Sequence, residues 1–433
     1  MSYSQSVIDG DCLQSTCQYV ENDPDFVLVG KDGNDRSCVV PVGEEMLSRH
    51  ILMLGGIGTG KSNAINFFVR NIRGLLDEDD ILFIFDTKGD FYKTFYRPGD
   101  VVISNDERAT NGYDKDYWNI FGEIMVDDRI EENINEIART LFDEKIRSSS
   151  QPFFPNAAKD LFSALITHLV RNDDFESRRN NASLRKLFDS FSVSAMKNIL
   201  KQHPDLKAMS AYIQDENSGQ TLGVTAELQQ LVREIFIGSF KQNGSLSVRD
   251  LVRNKGGRVV FIEYDLSIGS VLTPIYKLLF DLAIKEALCR TENEGNVFFL
   301  MDEFRLLPHL QHIDNGVNFG RSLGAKFIVG VQNIDQIAEA YGDNLAQSIL
   351  SGFSTVFSFR VNDPHSRQYI KDLYGQNIKM QTYLSAVQNR GLTEQIREGW
   401  VVEDSDITDL KLGQAVVSTP GCEPFMFQFN KYL

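Results

Sequence analysis

Gly55-Gly56-Ile57-Gly58-Thr59-Gly60-Lys61-Ser62 fits the pattern G-x-x-x-x-G-K-[ST], the phosphate-binding loop or P-loop. Glycine-rich backbone can turn its N–H groups inward and form a nest for phosphate oxygens. Lys61 reaches the β- and γ-phosphates in this pattern, and the Ser62 hydroxyl ligates Mg²⁺. The expected nucleotide-contacting set is Gly55, Gly58, Thr59, Gly60, Lys61, Ser62 and Asn63. The flanks agree. Arg49-His50-Ile51-Leu52-Met53-Leu54 reads as a short buried strand entering the loop, and Ile65, Phe68, Val69 and Ile72 recur at helical spacing after it. Strand, glycine loop and helix in that order aim a helix N-terminus at phosphate.

Apolar strand-length runs recur along the chain. Phe26-Val27-Leu28-Val29 and Cys38-Val39-Val40 flank a Lys31-Asp32-Gly33-Asn34 turn and read as a hairpin. Ile81–Phe85, Val101–Ile103, Arg258–Ile262, Val297–Met301, Lys326–Val331 and Thr355–Phe359 read as strands, with helical segments between most of them. Such alternation indicates a mostly parallel sheet covered on both faces. From about 127 to 244 the texture changes. Ile130, Ile134, Ile137 and Leu141, then Leu161, Leu165 and Leu169, fall at helical spacing, and strand-like runs are missing. The expected fold class is therefore α/β, a P-loop NTPase with an inserted all-α subdomain. The expected divisions are a polar N-terminal segment (1–25), a nucleotide-binding domain in two parts (26–126 and 245–433), and the helical insertion (127–244).

Val297–Met301 ends in Asp302-Glu303. An apolar strand delivering an acidic pair is the Walker B arrangement, in which the Asp holds the Mg²⁺ side and the Glu is general base to the attacking water. Asp86 also follows an apolar strand and is a rival, but Thr87 and Lys88 offer no second carboxylate. Gln332 ends the next strand and is either a sensor orienting the lytic water or a satisfied strand-end amide. Arg321 is the first candidate for an arginine finger donated to a neighbouring subunit, Arg360 the second and Arg49 the third; for each the alternative is a surface ion pair.

Composition narrows the classes. The chain has 433 residues, 42% hydrophobic and 24% charged, as in a globular protein with a large core. No apolar run is long enough to cross a membrane, and the first 25 residues lack the basic start and apolar centre of a signal peptide. Five cysteines without a C-x-x-C suit a reducing cytoplasm. His309 and His312 form an H-x-x-H with no further ligand nearby, which reads as a loop or helix-surface pair. A net charge of −16 disfavours a protein that coats nucleic acid nonspecifically and is compatible with one that has a basic channel. One stretch is locally basic, with Arg171, Arg178, Arg179, Arg185, Lys186, Lys197, Lys201 and Lys207; it reads first as a solvated helical surface and second as a DNA contact.

Taken together, these stretches resemble the conjugative coupling-protein family (TraG/TraD-like), in the HerA/FtsK branch of RecA-like motors. The resemblance rests on the strand entering the P-loop, Phe85-Asp86-Thr87-Lys88-Gly89-Asp90-Phe91, Trp118-Asn119-Ile120-Phe121, Phe299-Leu300-Met301-Asp302-Glu303-Phe304, Gly320-Arg321-Ser322 and Val331-Gln332, and spans roughly residues 26–430. It implies a hexameric ring that hydrolyses ATP with Mg²⁺ and pumps DNA through a central channel. It also implies Lys61 and Ser62 at the nucleotide, Asp302 and Glu303 as Walker B, Gln332 as sensor and Arg321 as finger. A relaxase or secretion-system proteins would be partners. Many members begin with transmembrane helices and this sequence encodes none, so the expectation is a cytoplasmic protein that a partner recruits to the inner membrane. Thr87 stands where the family usually has Pro. Alternative readings are a HerA/FtsK-type motor in phage defence or DNA processing, an ATPase that docks protein substrates to a secretion machine, and a small-molecule kinase. The tandem Asp302-Glu303 counts against the last.

Overall fold

Short, largely apolar runs fit strands covered on both sides. The computed structural model describes residues 3–291, 294–384 and 392–432. Its strands are β1 (Tyr3–Asp9), β2 (Pro24–Asp32), β3 (Ser37–Gly43), β4 (Ile51–Leu54), β5 (Ile81–Asp86), β6 (Val101–Ile103), β7 (Thr110–Asn111), β8 (Arg258–Glu263), β9 (Val297–Met301), β10 (Ala325–Val331), β11 (Thr355–Phe359), β12 (Gln376–Leu384), β13 (Leu392–Trp400), β14 (Gln414–Ser418) and β15 (Phe425–Phe429). The chain divides into two compact units. Unit 1 is Met1–Leu76, Glu292–Pro308 and Ile313–Leu433; unit 2 is Asp77–Thr291 and His309–His312.

In unit 1 the strand order is β3-β2-β15-β14-β11-β4-β10-β9. β9, β10, β4 and β11 run parallel, and every residue in them is buried. β14, β15, β2 and β3 are antiparallel additions, and β2 alternates exposed and buried positions, as a strand with one wet face must. The P-loop helix, Lys61–Leu75, buries Ala64, Ile65, Phe68, Val69 and Ile72 on one stripe. A separate three-stranded antiparallel sheet, β1-β12-β13, draws its first strand from the segment that the sequence reading treats only as polar.

Unit 2 has the strand order β5-β8-β6-β7, with β5, β8 and β6 parallel. Between Ile120 and Asn254 every described element is a helix, the longest being Ile130–Ser148, Phe153–Arg171 and Gly219–Ile235. The sequence reading keeps β5 and β8 with the nucleotide-binding domain, whereas by compactness they group with the helical segment.

The two ends of that segment are stapled by one carboxylate. Glu123 is fully buried and accepts from Trp118 Nε1 (2.9 Å), Ser247 Oγ (2.8 Å), Val248 N (2.7 Å) and Arg249 N (3.2 Å). Burial raises its pKa, and those donors offset part of the rise. Among the described residues no helix is long and apolar enough to cross a membrane.

Gly330 on β10 leaves room for the strand beside it. A Cβ there would lie 2.4 Å from the Asp302 carbonyl oxygen. Gly330→Ala should cost about 1–3 kcal/mol in urea unfolding and weaken nucleotide binding by displacing Asp302. Gly74→Ala, in the P-loop helix with nothing within 4 Å, should leave stability unchanged or raise it. Equal effects of the two would mean that the close approach carries no weight.

Candidate active site

The P-loop is anchored at its base by the strands on either side of β4. Gly55 N–H donates to Val331 O at the end of β10 (3.0 Å), and Gly56 N–H to Arg360 O just beyond β11 (2.9 Å). A side chain at Gly55 would meet Phe359 Cβ at 2.5 Å, and one at Gly60 would meet Gly413 Cα at 2.7 Å. Gly58 and Gly60 both take positive φ, +70° and +109°, which glycine adopts without strain. Thr59 closes the turn: its Oγ1 donates to Gly56 O (2.8 Å), and its carbonyl accepts from Gly413 N–H (2.8 Å). The loop's shape is thus built from the chain's own contacts.

Lys61 is buried, and its ammonium donates to the carbonyls of Gly55 and Gly56, inside the curve of the loop. Ser62 Oγ donates to Asp302 Oδ2 at 3.0 Å. The hydroxyl and the carboxylate expected to share a Mg²⁺ therefore already meet, and this donor set fits the ion. Glu303 is the next residue. Gln332 Nε2 donates to its Oε2 at 2.6 Å, and Arg305 Nε lies 3.1 Å from Oε1 without the alignment of a hydrogen bond. The structure brings Lys61, Ser62, Asp302, Glu303 and Gln332 together.

Other expected residues are placed differently. Asn63 uses its side chain on the C-terminal stretch, donating to Asn430 O (2.9 Å) and accepting from Tyr432 N–H (2.8 Å). Asp86 is buried in unit 2 and accepts the backbone N–H groups of Lys88 (3.2 Å) and Tyr92 (2.8 Å). Burial raises its pKa while those donors pull it down; its carboxylate shapes a turn. Arg321 is exposed on the turn Gly320–Leu323 and lines an open recess of about 800 Å³ with Glu21, Asp23, Glu44, Glu45 and the exposed Phe319. Arg360 is exposed, and Arg49 is paired with Glu45 at 2.5 Å.

The basic stretch is also partly consumed. Arg171 pairs with Glu131 and Asp205; Arg179 donates to the carbonyls of Leu169, Val170 and Asn172; Arg185 donates to those of Val232, Arg233 and Phe236. The last two neutralise helix C-termini. Arg178, Lys186, Lys201 and Lys207 remain exposed.

Sequence reasoning missed Gly413, Phe359 and Arg305. The first two reach the loop from far along the chain and carry no local pattern. Arg305 could have been found two residues after the acidic pair.

A family model, the type IV secretion-system coupling protein DNA-binding domain, matches residues 36–427. The chain belongs to that family. It is 25% identical over 345 residues to the coupling protein TraD of Escherichia coli (strain K12), covering 76% of this chain and 44% of TraD. The chain thus spans less than half the length of that relative. The fold matches the bacterial conjugative coupling protein TrwBdeltaN70 in its unbound form, with a TM-score of 0.78 at 17% identity over 100% of this chain and 95% of that one. It also matches TrwB in complex with ADP and Mg²⁺, with a TM-score of 0.73 at 16% identity over 100% and 96%.

The two acidic strand ends make opposite predictions. Glu303→Gln keeps size and the Gln332 contact but loses basicity, so turnover should fall roughly 10²–10⁴-fold with nucleotide still bound. Asp86→Asn should instead cost about 1–2 kcal/mol of stability and leave hydrolysis per folded molecule near normal. Single-turnover hydrolysis and thermal unfolding of both variants decide it; stalled Asp86→Asn beside active Glu303→Gln would reverse the assignment.

Proposed function

We propose that this chain is the ATP-hydrolysing motor part of a conjugative or mobilisation DNA-transfer apparatus, working as a ring of copies, hexameric as the resemblance implies. The observation that carries the reading is the 3.0 Å contact between Ser62 and Asp302 beside the Glu303–Gln332 pair. The family match, and the capture of ADP and Mg²⁺ by TrwB, support it.

In this reading the P-loop N–H groups and Lys61 would bind the triphosphate, and Ser62 and Asp302 would hold Mg²⁺, which when bound would supply charge neutralisation at the phosphate oxygens. Gln332 fixes one oxygen of Glu303, and the other, Oε1, has no hydrogen-bond partner and accepts the proton of the attacking water. Arg321, exposed on its turn, is the group for a neighbour's transition state. Relaxase and secretion proteins are the partners in this reading, and one of them recruits the ring to the inner membrane from the cytoplasmic side. The charge of −16 favours a second reading, a motor that docks protein substrates.

Two experiments test the proposal. Arg321→Ala and Lys61→Ala should each lose most hydrolysis, by about 10³-fold for the finger. Mixed, they should recover part of it, because an interface can then hold one intact site. No recovery in rings verified by sedimentation places Arg321 outside the neighbour's site.

For DNA, reversing the charge of Arg178, Lys186, Lys201 and Lys207 should weaken binding and flatten its salt dependence, since fewer counterions are released. DNA that neither binds nor stimulates hydrolysis at low salt would favour the protein-docking reading.

A further inference from the structure

After Glu303 the chain makes a short excursion. Pro308 belongs to unit 1 and Ile313 returns to it, yet His309–His312 belong to unit 2. Those four residues are fastened to two long helices, Ile130–Ser148 and Gly269–Leu288. Leu310 is 2% exposed. Gln311 donates from Nε2 to Thr140 Oγ1 (3.1 Å) and accepts from Arg139. His312 Nε2 lies 2.7 Å from Glu136 Oε1, and Glu136 pairs through its other oxygen with Lys285.

The centre of the fastening is Asp281, in the interior of Gly269–Leu288 and 2% exposed. Its carboxylate accepts the backbone N–H of His312 at 3.1 Å and that of Gln311, while Oδ2 has no hydrogen-bond partner. Burial pushes its pKa up to about 6, although the two backbone donors work against the rise. A leucine would fill this helix position without that desolvation cost. What a leucine cannot do is hold the loop backbone. At Glu136 burial also raises the pKa, but the bonds from His312 and Lys285 outweigh it and leave the carboxyl below its ordinary range.

Side-chain contacts hold the stretch between Glu303 and this anchor. Phe304 stacks on Tyr341 with ring centroids 5.4 Å apart and planes at 9°. Tyr341 OH donates to Leu307 O at 2.7 Å. His309 then takes φ +57°, a left-handed conformation that a non-glycine residue holds only when its surroundings impose it.

We propose that Asp281, together with the His312–Glu136 contact, is a positioning device for hydrolysis: it pins the segment that runs on from Glu303. The inference rests on the reading of Glu303 as general base. Asp281 acts through the chain and touches no reacting group. A displacement of the base by 1 Å can cost about 10²-fold in rate, so a pin several residues away has leverage.

The test uses the full chain with Asp281→Leu, Asp281→Asn and His312→Phe. Three quantities are read: affinity for a fluorescent ATP analogue, single-turnover hydrolysis, and thermal unfolding. Asp281→Leu and His312→Phe should lower turnover tenfold or more with nucleotide affinity within twofold of wild type. Asp281→Asn keeps an oxygen that can accept both N–H groups and should stay within threefold of wild type. Folded Asp281→Leu and His312→Phe proteins with wild-type turnover would overturn the proposal. Asp281→Asn falling as far as Asp281→Leu would overturn the acceptor role. Lys61→Ala is the separate control, since normal hydrolysis by that variant sinks the ATPase reading whatever the pin variants do. Hydrogen exchange on the unmodified protein keeps the question open to refutation if the variants do not fold. The ATP analogue should protect residues 303–312 together with 136–140; protection that stops at Pro308 would overturn the linkage.

Discussion

A hydrogen bond of 3.0 Å joins Ser62, on the first turn of the P-loop helix, to Asp302, at the far end of a strand 240 positions away. It can form only because of the strand between them. β10 separates β4 from β9, so the hydroxyl and the carboxylate meet over its C-terminal end. Two properties of β10 make this work. Gly330 has no side chain, which lets the Asp302 backbone close in, and the carbonyl of Val331 takes the first N–H of the P-loop. One strand thus sets the distance between the phosphate nest and the acidic pair, and its last residue leads directly into Gln332. The chemistry proposed here depends on that spacing more than on any single side chain.

The parallel core was legible because burial on both faces leaves strands with few polar positions. Ile51–Leu54 and Val297–Met301 therefore stood out as uninterrupted apolar runs, and Thr355–Phe359 as one broken only by the buried Ser358. The small sheet was not legible. β1 and β12 carry Ser, Gln, Asn, Lys and Thr between their few apolar residues, and their pairing joins residues 3–9 with 376–384. Local pattern also misjudged polar side chains that serve distant backbone. Arg179 and Arg185 looked like a surface charge and instead hold helix ends, and the Asn63 side chain also reaches the C-terminal stretch. His309 and His312 formed a pair in sequence only; His312 turned out to face Glu136. In each case the missing information was a partner far along the chain.

Unit 2 shows what such polar burial achieves. Arg249 is 2% exposed and bonds to Asp127 (2.7 Å) and Glu286 (2.8 Å), while Glu123 gathers the N–H groups around it. Buried ion pairs of this kind contribute little net stability, because desolvation offsets most of the attraction. Their geometry is exacting, however. They admit one arrangement of the chain entering the helical segment and the chain leaving it.

The same topology fixes an order of events during synthesis. β4 pairs on one side with β10 and on the other with β11, so Ile51 must wait for Ile328 and Thr355. Thr59 and Gly60 wait longer still, for Gly413. A ribosome making this protein releases an apolar strand with two unsatisfied edges long before either partner exists. Such edges invite wrong pairings, and the whole helical segment is made in the interval. The glycine loop that announces itself earliest in the sequence is among the last parts of the molecule to acquire its shape.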